Sequence, residues 1–599
     1  MHLDDPEPSP PFALRAEWPF VLALAVMGLA TRLTIAIAPW DFMSGDEAGI
    51  ASQARHIWQG RVTPIFQYGQ AYMGTFGPWL MAPMYGLLGA DIRGIFFAHL
   101  VEYLVAVPIC YRLLFAVGGR WGAIAGGTAL ALGTYDLHRT AAWHGYFELL
   151  PLTALAYLAV ARAAARGASD TYALGLGSLL GLGLWINPQF AAPTLAALVG
   201  LVAASPVRAL VVGPTLVGRV GRKAAIGLRG VLLILLTSGA AMLVGTLVGK
   251  VELGGGAWVL TVTPSMRHMQ HIGIALVIVV WLTELYLGPR RCALVLGTLG
   301  VFAIGLLPYV AYRLMDGDVL TRPSLDFSGE YVRGNVPTIA HHYGVVLLGR
   351  PWLDRERLPG AAALIALAAA AVPWAAWRLA RDVASLARAV PARWSITSML
   401  AIHLIATTTL ALLHRPHVQL RYINTLWVPY IAALAASVGW LARRPRTRPL
   451  AVLALGVTLV HYGSDFALVA IRCREADPRP DYVALERALT ERGATVGYAQ
   501  YDHAHLAEFL TDERLRLTTY GGWIQRIPET RELAAAEPRP VAVFDLRDPN
   551  EVADLEDLLV RRADRIIERW ERWPWSIVRL RRNPNAPRIV DLQGEPWRD

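Results

Sequence analysis

The sequence predicts an α-helical polytopic membrane protein of about 13 spans with a small α/β domain at its C-terminal end, and three observations predict it. Of 599 residues 55% are hydrophobic and 17% charged, with a mean hydropathy of +0.39. A soluble chain is closer to ~45–50% apolar and ~25% charged, so this one carries more apolar surface than a soluble fold buries. Apolar runs long enough to cross a bilayer recur over about the first 472 positions, after which the composition turns sharply to Asp, Glu and Arg. The formal charge of +10 does not imply nucleic acid as a partner. The basic residues sit in short loops between apolar runs, where they set topology. Cys110, Cys292 and Cys473 are isolated from one another, so neither a disulfide framework nor a thiolate metal site is indicated. The chain opens on an acidic, Pro-rich stretch, Asp4 to Pro11, without a basic segment or cleavage site, so no cleaved signal peptide is expected.

The apolar runs lie at about 16–38, 94–116, 120–135, 146–164, 172–187, 189–205, 227–249, 271–288, 292–313, 359–379, 395–413, 421–441 and 448–472. Positive charge in short loops is retained on the cytoplasmic side. Arg208, Arg219, Arg222, Lys223 and Arg229 fill one such loop without an acid. Arg290-Arg291, the group Arg378, Arg381, Arg388 and Arg393, and the cluster Arg443, Arg444, Arg446 and Arg448 mark three more. An even number of runs separates successive markers, so one orientation satisfies them all: N-terminus cytoplasmic, C-terminus outside. On the outer face this places a first loop over residues 39–93, the turn Tyr135 to Tyr146, Asn187-Pro188-Gln189, a further loop over 314–358 and the turn His414 to Arg421. Residues 1–472 then form the membrane domain and 473–599 a soluble extracytoplasmic domain. That tail alternates strand-like runs, Thr495 to Tyr498 and Val541 to Asp545, with a helical pattern over Tyr482 to Arg492.

Nearly all ionisable residues suited to chemistry fall on that outer side. Ser44-Gly45-Asp46-Glu47 precedes Ala48 to Trp58, where Ala51, Ala54, Ile57 and Trp58 recur at helical spacing. Ser44 and Glu47 fit a capping box, in which Glu47 does no more than start the helix. Asp46 is harder to dismiss, because a carboxylate in a first turn is held ionised by the helix dipole and can act as a base or bind a cation. Next come Gln67, Tyr68, Gly69, Gln70, Ala71, Tyr72, Met73, Gly74 and Thr75, which suit either close approach to a polar ligand or an interfacial aromatic belt. The second outer turn holds Asp136, His138, Arg139, His144 and Glu148; an acid at the mouth of a span is costly unless partnered, and Arg139 could be the partner. Glu102, about two turns into the second span, reads as structural. Arg421-Tyr422 opens a late span, where a guanidinium either binds phosphate or snorkels.

Together these residues resemble the GT-C-type glycosyltransferases, in particular the group that holds protein O-mannosyltransferases and the lipid A aminoarabinose transferase. The resemblance rests on Asp46-Glu47 heading a surface helix, the Tyr68 to Thr75 run, the segment Gly181-Leu182-Gly183-Leu184-Trp185-Ile186-Asn187-Pro188-Gln189, and Arg421-Tyr422 with Pro429. It implies an inverting transfer of a sugar from a polyprenyl-phosphate carrier to an acceptor (protein, lipid or glycan) at the outer face of a bacterial inner membrane, with membrane lipid and donor as partners. In this group the first-loop aspartate is the principal catalytic residue, which here is Asp46. A second-loop acid assists, Glu148 being favoured over Asp136, with Glu47, Asp136 and Arg139 in support. Arg421, Tyr422, Tyr68, Gln70, Tyr72 and Gln189 would bind the donor. A divalent cation bridging Asp46 and Glu148 is compatible with this set, but the ligands are oxygen-only and incomplete, so the metal is unknown. A secondary transporter or a membrane-bound sensor is the alternative, although transporters place ionisable groups near the midplane and show repeats, whereas the acids here gather at span ends.

Overall fold

The computed structural model describes residues 14–68, 70–89, 93–142, 144–166, 170–204, 251–253, 260–262, 324–326, 329–348, 396–415, 420–475, 477–520, 527–561 and 563–581. The first part of the chain gives α1 (Leu14–Ile37), α2 (Gly45–Trp58), β1 (Phe66–Gln67), β2 (Gln70–Gly74), α3 (Phe76–Leu88), α4 (Arg93–Leu132), α5 (Tyr135–Ala142), α6 (Leu149–Arg166), α7 (Asp170–Ile186) and α8 (Ala191–Ala204). The short strands β3 (Val251–Leu253), β4 (Leu260–Val262), β5 (Ser324–Asp326) and β6 (His414–Arg415) form one sheet, and between them lie α9 (Gly329–Leu348) and α10 (Ile396–Leu413). Then come α11 (Trp427–Arg443), α12 (Arg448–Glu475), α13 (Arg479–Thr490), β7 (Val496–Ala499), α14 (Tyr501–Leu510), β8 (Arg516–Thr519), α15 (Pro528–Ala536), β9 (Val541–Asp545), α16 (Pro549–Arg561), β10 (Ile566–Arg572) and β11 (Trp575–Leu580).

Among the described residues, four stretches are long and apolar enough to cross a membrane: Arg15–Ile37, Arg93–Leu132, Ile423–Arg443 and Pro445–Thr490. Leu149–Ala163, Gly175–Ile186 and Ile396–Leu412 are shorter apolar helices. The runs expected at about 94–116 and 120–135 are the two halves of α4, broken where Gly119 takes φ 65° and ψ −166°. The run expected from 421 becomes helical later, because Leu420–Leu426 is a 3-10 turn and α11 starts at Trp427. The runs at about 227–249, 271–288, 292–313 and 359–379 lie outside the described residues.

The chain divides into two compact units. The first comprises Met1–Arg32, Leu100–Ala141 and Gly145–Val469. Within it Gly118, just before the break at Gly119, and Gly122 and Gly126, a turn apart after it, face α11. A Cβ on Gly118 would stand 2.1 Å from the carbonyl oxygen of Ala435, and one on Gly122 2.2 Å from the same atom. Small residues at this spacing bring two backbones together and replace the hydrophobic drive that a bilayer does not supply. The buried Arg32 is also accounted for. Its guanidinium donates to the carbonyls of Ala131 (2.8 Å) and Leu130 (3.0 Å) and lies 3.8 Å from the centroid of the Tyr103 ring, so it caps the C-terminal end of α4.

The second unit comprises Leu33–His99, Ala142–His144 and Ala470–Asp599. Its C-terminal part is a five-stranded sheet of order β10-β11-β9-β7-β8, in which β9, β7 and β8 run parallel and β11 and β10 antiparallel. Tyr498, Phe544, Leu555, Leu558, Val578 and Leu580 form the core beneath α16. The chain passes from β7 to β8 on one side while β9 pairs on the other, so the C-terminal ends of β7 and β9 meet where the strand order reverses. Helix α14 starts at that point.

Candidate active site

Helix α2 forms because Ser44, extended at φ −140°, supplies an N-cap and Glu47 reciprocates. The Ser44 amide donates to Glu47 Oε2 at 2.7 Å, and the Ser44 hydroxyl bonds the same oxygen. The carboxylate of Glu47, fully buried, thus serves the helix start. Asp46, half-buried in the same turn, receives the phenolic O–H of Tyr501 on Oδ1 at 2.5 Å. The Gly45 amide donates to Asp502 Oδ1 at 2.6 Å. Position 45 must be glycine-sized here, since a Cβ would lie 2.8 Å from the Tyr501 ring.

Further along α2, ion pairs fix the helix to the turn after α14. Arg55 donates to Asp512 Oδ1 and to Glu513 Oε1, both at 2.9 Å, and Arg61 joins Glu513 (3.1 Å) and Glu529 (3.0 Å). His56 Nε2 lies 2.6 Å from Glu513 Oε1 and donates to it, and Nδ1 lies 3.0 Å from the Tyr68 hydroxyl. Burial alone would raise the Glu513 carboxyl, but the His56 hydrogen bond and the charges of Arg55, His56 and Arg516 hold it well below the usual carboxylate range. Tyr68, expected to bind donor, is tied into this network. Its amide donates to Gln53 Oε1 at 3.2 Å, and burial, with the charge of Glu529, pushes its phenol up to about 12, so it stays neutral. Gln67 donates to the carbonyl of His144 at 3.3 Å.

Asp136, Arg139 and Glu148 belong to the first unit. Asp136 is wholly buried at the start of α5, where Trp427 Nε1 donates to Oδ2 at 3.2 Å while Oδ1 has no hydrogen-bond partner among the described residues. Burial raises its carboxyl to about 7 against the opposing pull of Trp427 and of the Arg139 charge. Glu148 accepts the Gly145 amide on both oxygens at 2.9 Å, closing the turn that leads into α6. A carboxylate oxygen of Glu102 lies within 4.8 Å of one of Glu148, and both side chains are buried. Carboxylates this close favour a shared proton or a cation between them, so within the first unit this pair could hold a metal. His138 could not join it readily: Nε2 lies 2.6 Å from the carbonyl oxygen of Leu132, and burial with the Arg32 charge lowers the imidazole to about 3, leaving it a neutral donor.

The donor-binding candidates of this unit meet on two turns. Gln189 lies in the 3-10 turn Pro188–Phe190, capped by Asn187, whose Oδ1 accepts the Gln189 amide at 2.9 Å. Arg421 and Tyr422 lie in the turn Leu420–Leu426, and the two turns pack against each other. The side chains of Arg421 and Tyr422, like those of Gln70 and Tyr72, lie outside the described residues. Asn424, on the same turn, is fully buried, and neither atom of its amide has a hydrogen-bond partner among the described residues; nor has Gln189 Oε1. Buried polar groups are otherwise nearly always bonded, so these two amides mark a place for a polar ligand or water.

Sequence reasoning missed Asn424, Tyr501, Asp502 and Glu513. The bonds of Tyr501 and Asp502 to the first loop span 455 and 457 positions, and no local pattern encodes them.

No protein-family model matches the chain, and neither does any curated protein. Solved structures do. The chain is similar to ArnT from Cupriavidus metallidurans bound to undecaprenyl phosphate, at 14% identity over 95% of this chain and 98% of that one, with a TM-score of 0.48. For the apo state of the same protein the values are 14%, 95% and 98%, with a TM-score of 0.47. The Archaeoglobus fulgidus oligosaccharyltransferase in complex with Zn and sulfate is 12% identical over 91% of this chain and 70% of that one, with a TM-score of 0.49. Likenesses this distant do not decide what the chain does.

Proposed function

We propose that the chain is a membrane glycosyltransferase that moves a sugar from a polyprenyl-phosphate carrier to an acceptor on the outer face of the membrane, inverting the anomeric centre. The observation that carries this reading is the cradle of Asp46: a carboxylate in the first turn of a capped helix, oriented by a phenol. Such a group is suited to take the proton of an acceptor hydroxyl. The leaving group is a lipid phosphate, whose developing charge needs cationic and amide donors in a site shielded from water. Arg421 would supply the guanidinium, and the amides of Gln189 and Asn424 would donate from the two turns. The positive-inside pattern supports the outer sidedness, and the buried pair Glu102 and Glu148 supports a part for the second acid beside any cation.

Asp46→Asn tests the reading, because the amide removes the charge and keeps the shape. In membranes supplied with undecaprenyl-phosphate-linked sugars the variant should lose transfer by about 100-fold or more while inserting and melting as the parent does. Full activity would dismiss the assignment.

A further inference from the structure

Two helices begin face to face in the second unit. The first turn of α2 carries Asp46, and the first turn of α14 carries Tyr501 and Asp502, which bond Asp46 and the Gly45 amide at 2.5 and 2.6 Å. Each helix start is a locus of partial positive charge, so their approach is unfavourable unless negative charge lies between them. Asp46 and Asp502 supply it. Helix α14 is itself set in place, since Gln500 Oε1 accepts the Asp502 amide at 2.7 Å directly after β7 ends at Ala499. Tyr501 is further held by an edge-on contact with His505, ring centroids 5.0 Å apart. One face of the Asp46 carboxyl is thereby fixed by a rigid donor from the C-terminal sheet domain.

We infer that Tyr501 is a positioning residue for Asp46, so that the C-terminal domain completes the proposed catalytic group. The inference rests on the glycosyltransferase reading. A phenol that donates to a carboxylate oxygen orients the group and favours its ionised form, the form that accepts a proton. Among the described residues, the ionisable groups on the two helix starts are Asp46 and Glu47 on α2 and Tyr501, Asp502 and His505 on α14.

The test uses the full chain in lipid nanodiscs with undecaprenyl-phosphate-linked mannose, glucose and arabinose as donors, membranes of the source cell as acceptor, and release of undecaprenyl phosphate as the readout. Tyr501→Phe keeps the ring against Gly45 and His505 and removes only the hydroxyl. It should leave KM for the lipid donor unchanged, lower kcat by about tenfold and move the acid limb of kcat/KM up by about one pH unit, the scale of a lost bond to a charged group. Tyr501 replaced by 3-fluorotyrosine, a stronger donor, should keep kcat near that of the parent and hold the acid limb at or below its position. A uniform fall in rate with the acid limb unmoved in both variants would make Tyr501 a structural staple and overturn the inference. If Asp46→Asn is inactive while Tyr501→Phe matches the parent, this inference alone fails. An active Asp46→Asn removes the reading beneath it as well.

Discussion

Asp136 shows what one residue can reveal about a fold. Its carboxyl, wholly buried and bonded to Trp427, is raised to about 7 from an ordinary value near 3.8. The folded chain therefore holds a proton that the unfolded chain has lost across that interval. Stability contributed by the protonated acid is full below the unfolded value and is lost as pH rises through the folded one. Asp136→Asn, which stays neutral, should close that interval: the parent loses several degrees of melting temperature relative to the variant between pH 4 and 7, and the gap stays constant above 7. Parallel melting curves of the two in detergent would show that the acid is not proton-linked. The sequence marked Asp136 as an acid of the second outer turn, near Arg139. It could not mark Trp427, which is 291 positions away.

At the scale of elements, apolar length was legible and close approach was not. The runs read at about 16–38 and 395–413 appear as Leu14–Ile37 and Ile396–Leu413, since a span is set by its count of apolar residues. The capping box at Ser44 and Glu47 was equally plain. Helix α9 lies inside the expected outer loop over 314–358, where Pro337 and the polar residues of the segment mask its period. The seam between α4 and α11 also escaped notice, since Gly118, Gly122 and Gly126 look like any glycines in an apolar run. Gly122→Leu would place side-chain carbon against a carbonyl oxygen that no rotamer avoids. It should cost about 3 kcal/mol or more and be read as early thermal aggregation of the purified protein. An unchanged melting temperature would separate the two helices.

For the whole molecule, the unit that contains Asp46 is assembled from the first loop and the last 130 or so residues of the chain. Its keystone is Glu513, which meets Arg55, His56, Arg61 and Arg516 from a turn where Asp512 and Glu513 take φ of 52° and 61°. Two successive non-glycine residues in the left-handed region are strained, and the ion pairs hold them there. Glu513→Gln leaves the buried Arg55 without its main anion and should destabilise the docking of α2 by about 3–5 kcal/mol, seen as faster hydrogen exchange over residues 45–58. Exchange equal to that of the parent would show the pairs to be incidental. None of this was readable from a chain in which the acids of the tail appear as ordinary solvated charge.

The bond between the Gly45 amide and Asp502 joins positions 457 residues apart. A ribosome that has just released the first loop must still synthesise most of the protein before Tyr501 exists. Throughout that time the acidic head of α2 is without the phenol that bonds Asp46. The start of α2 is therefore completed late in translation, by a partner 455 positions further along the chain.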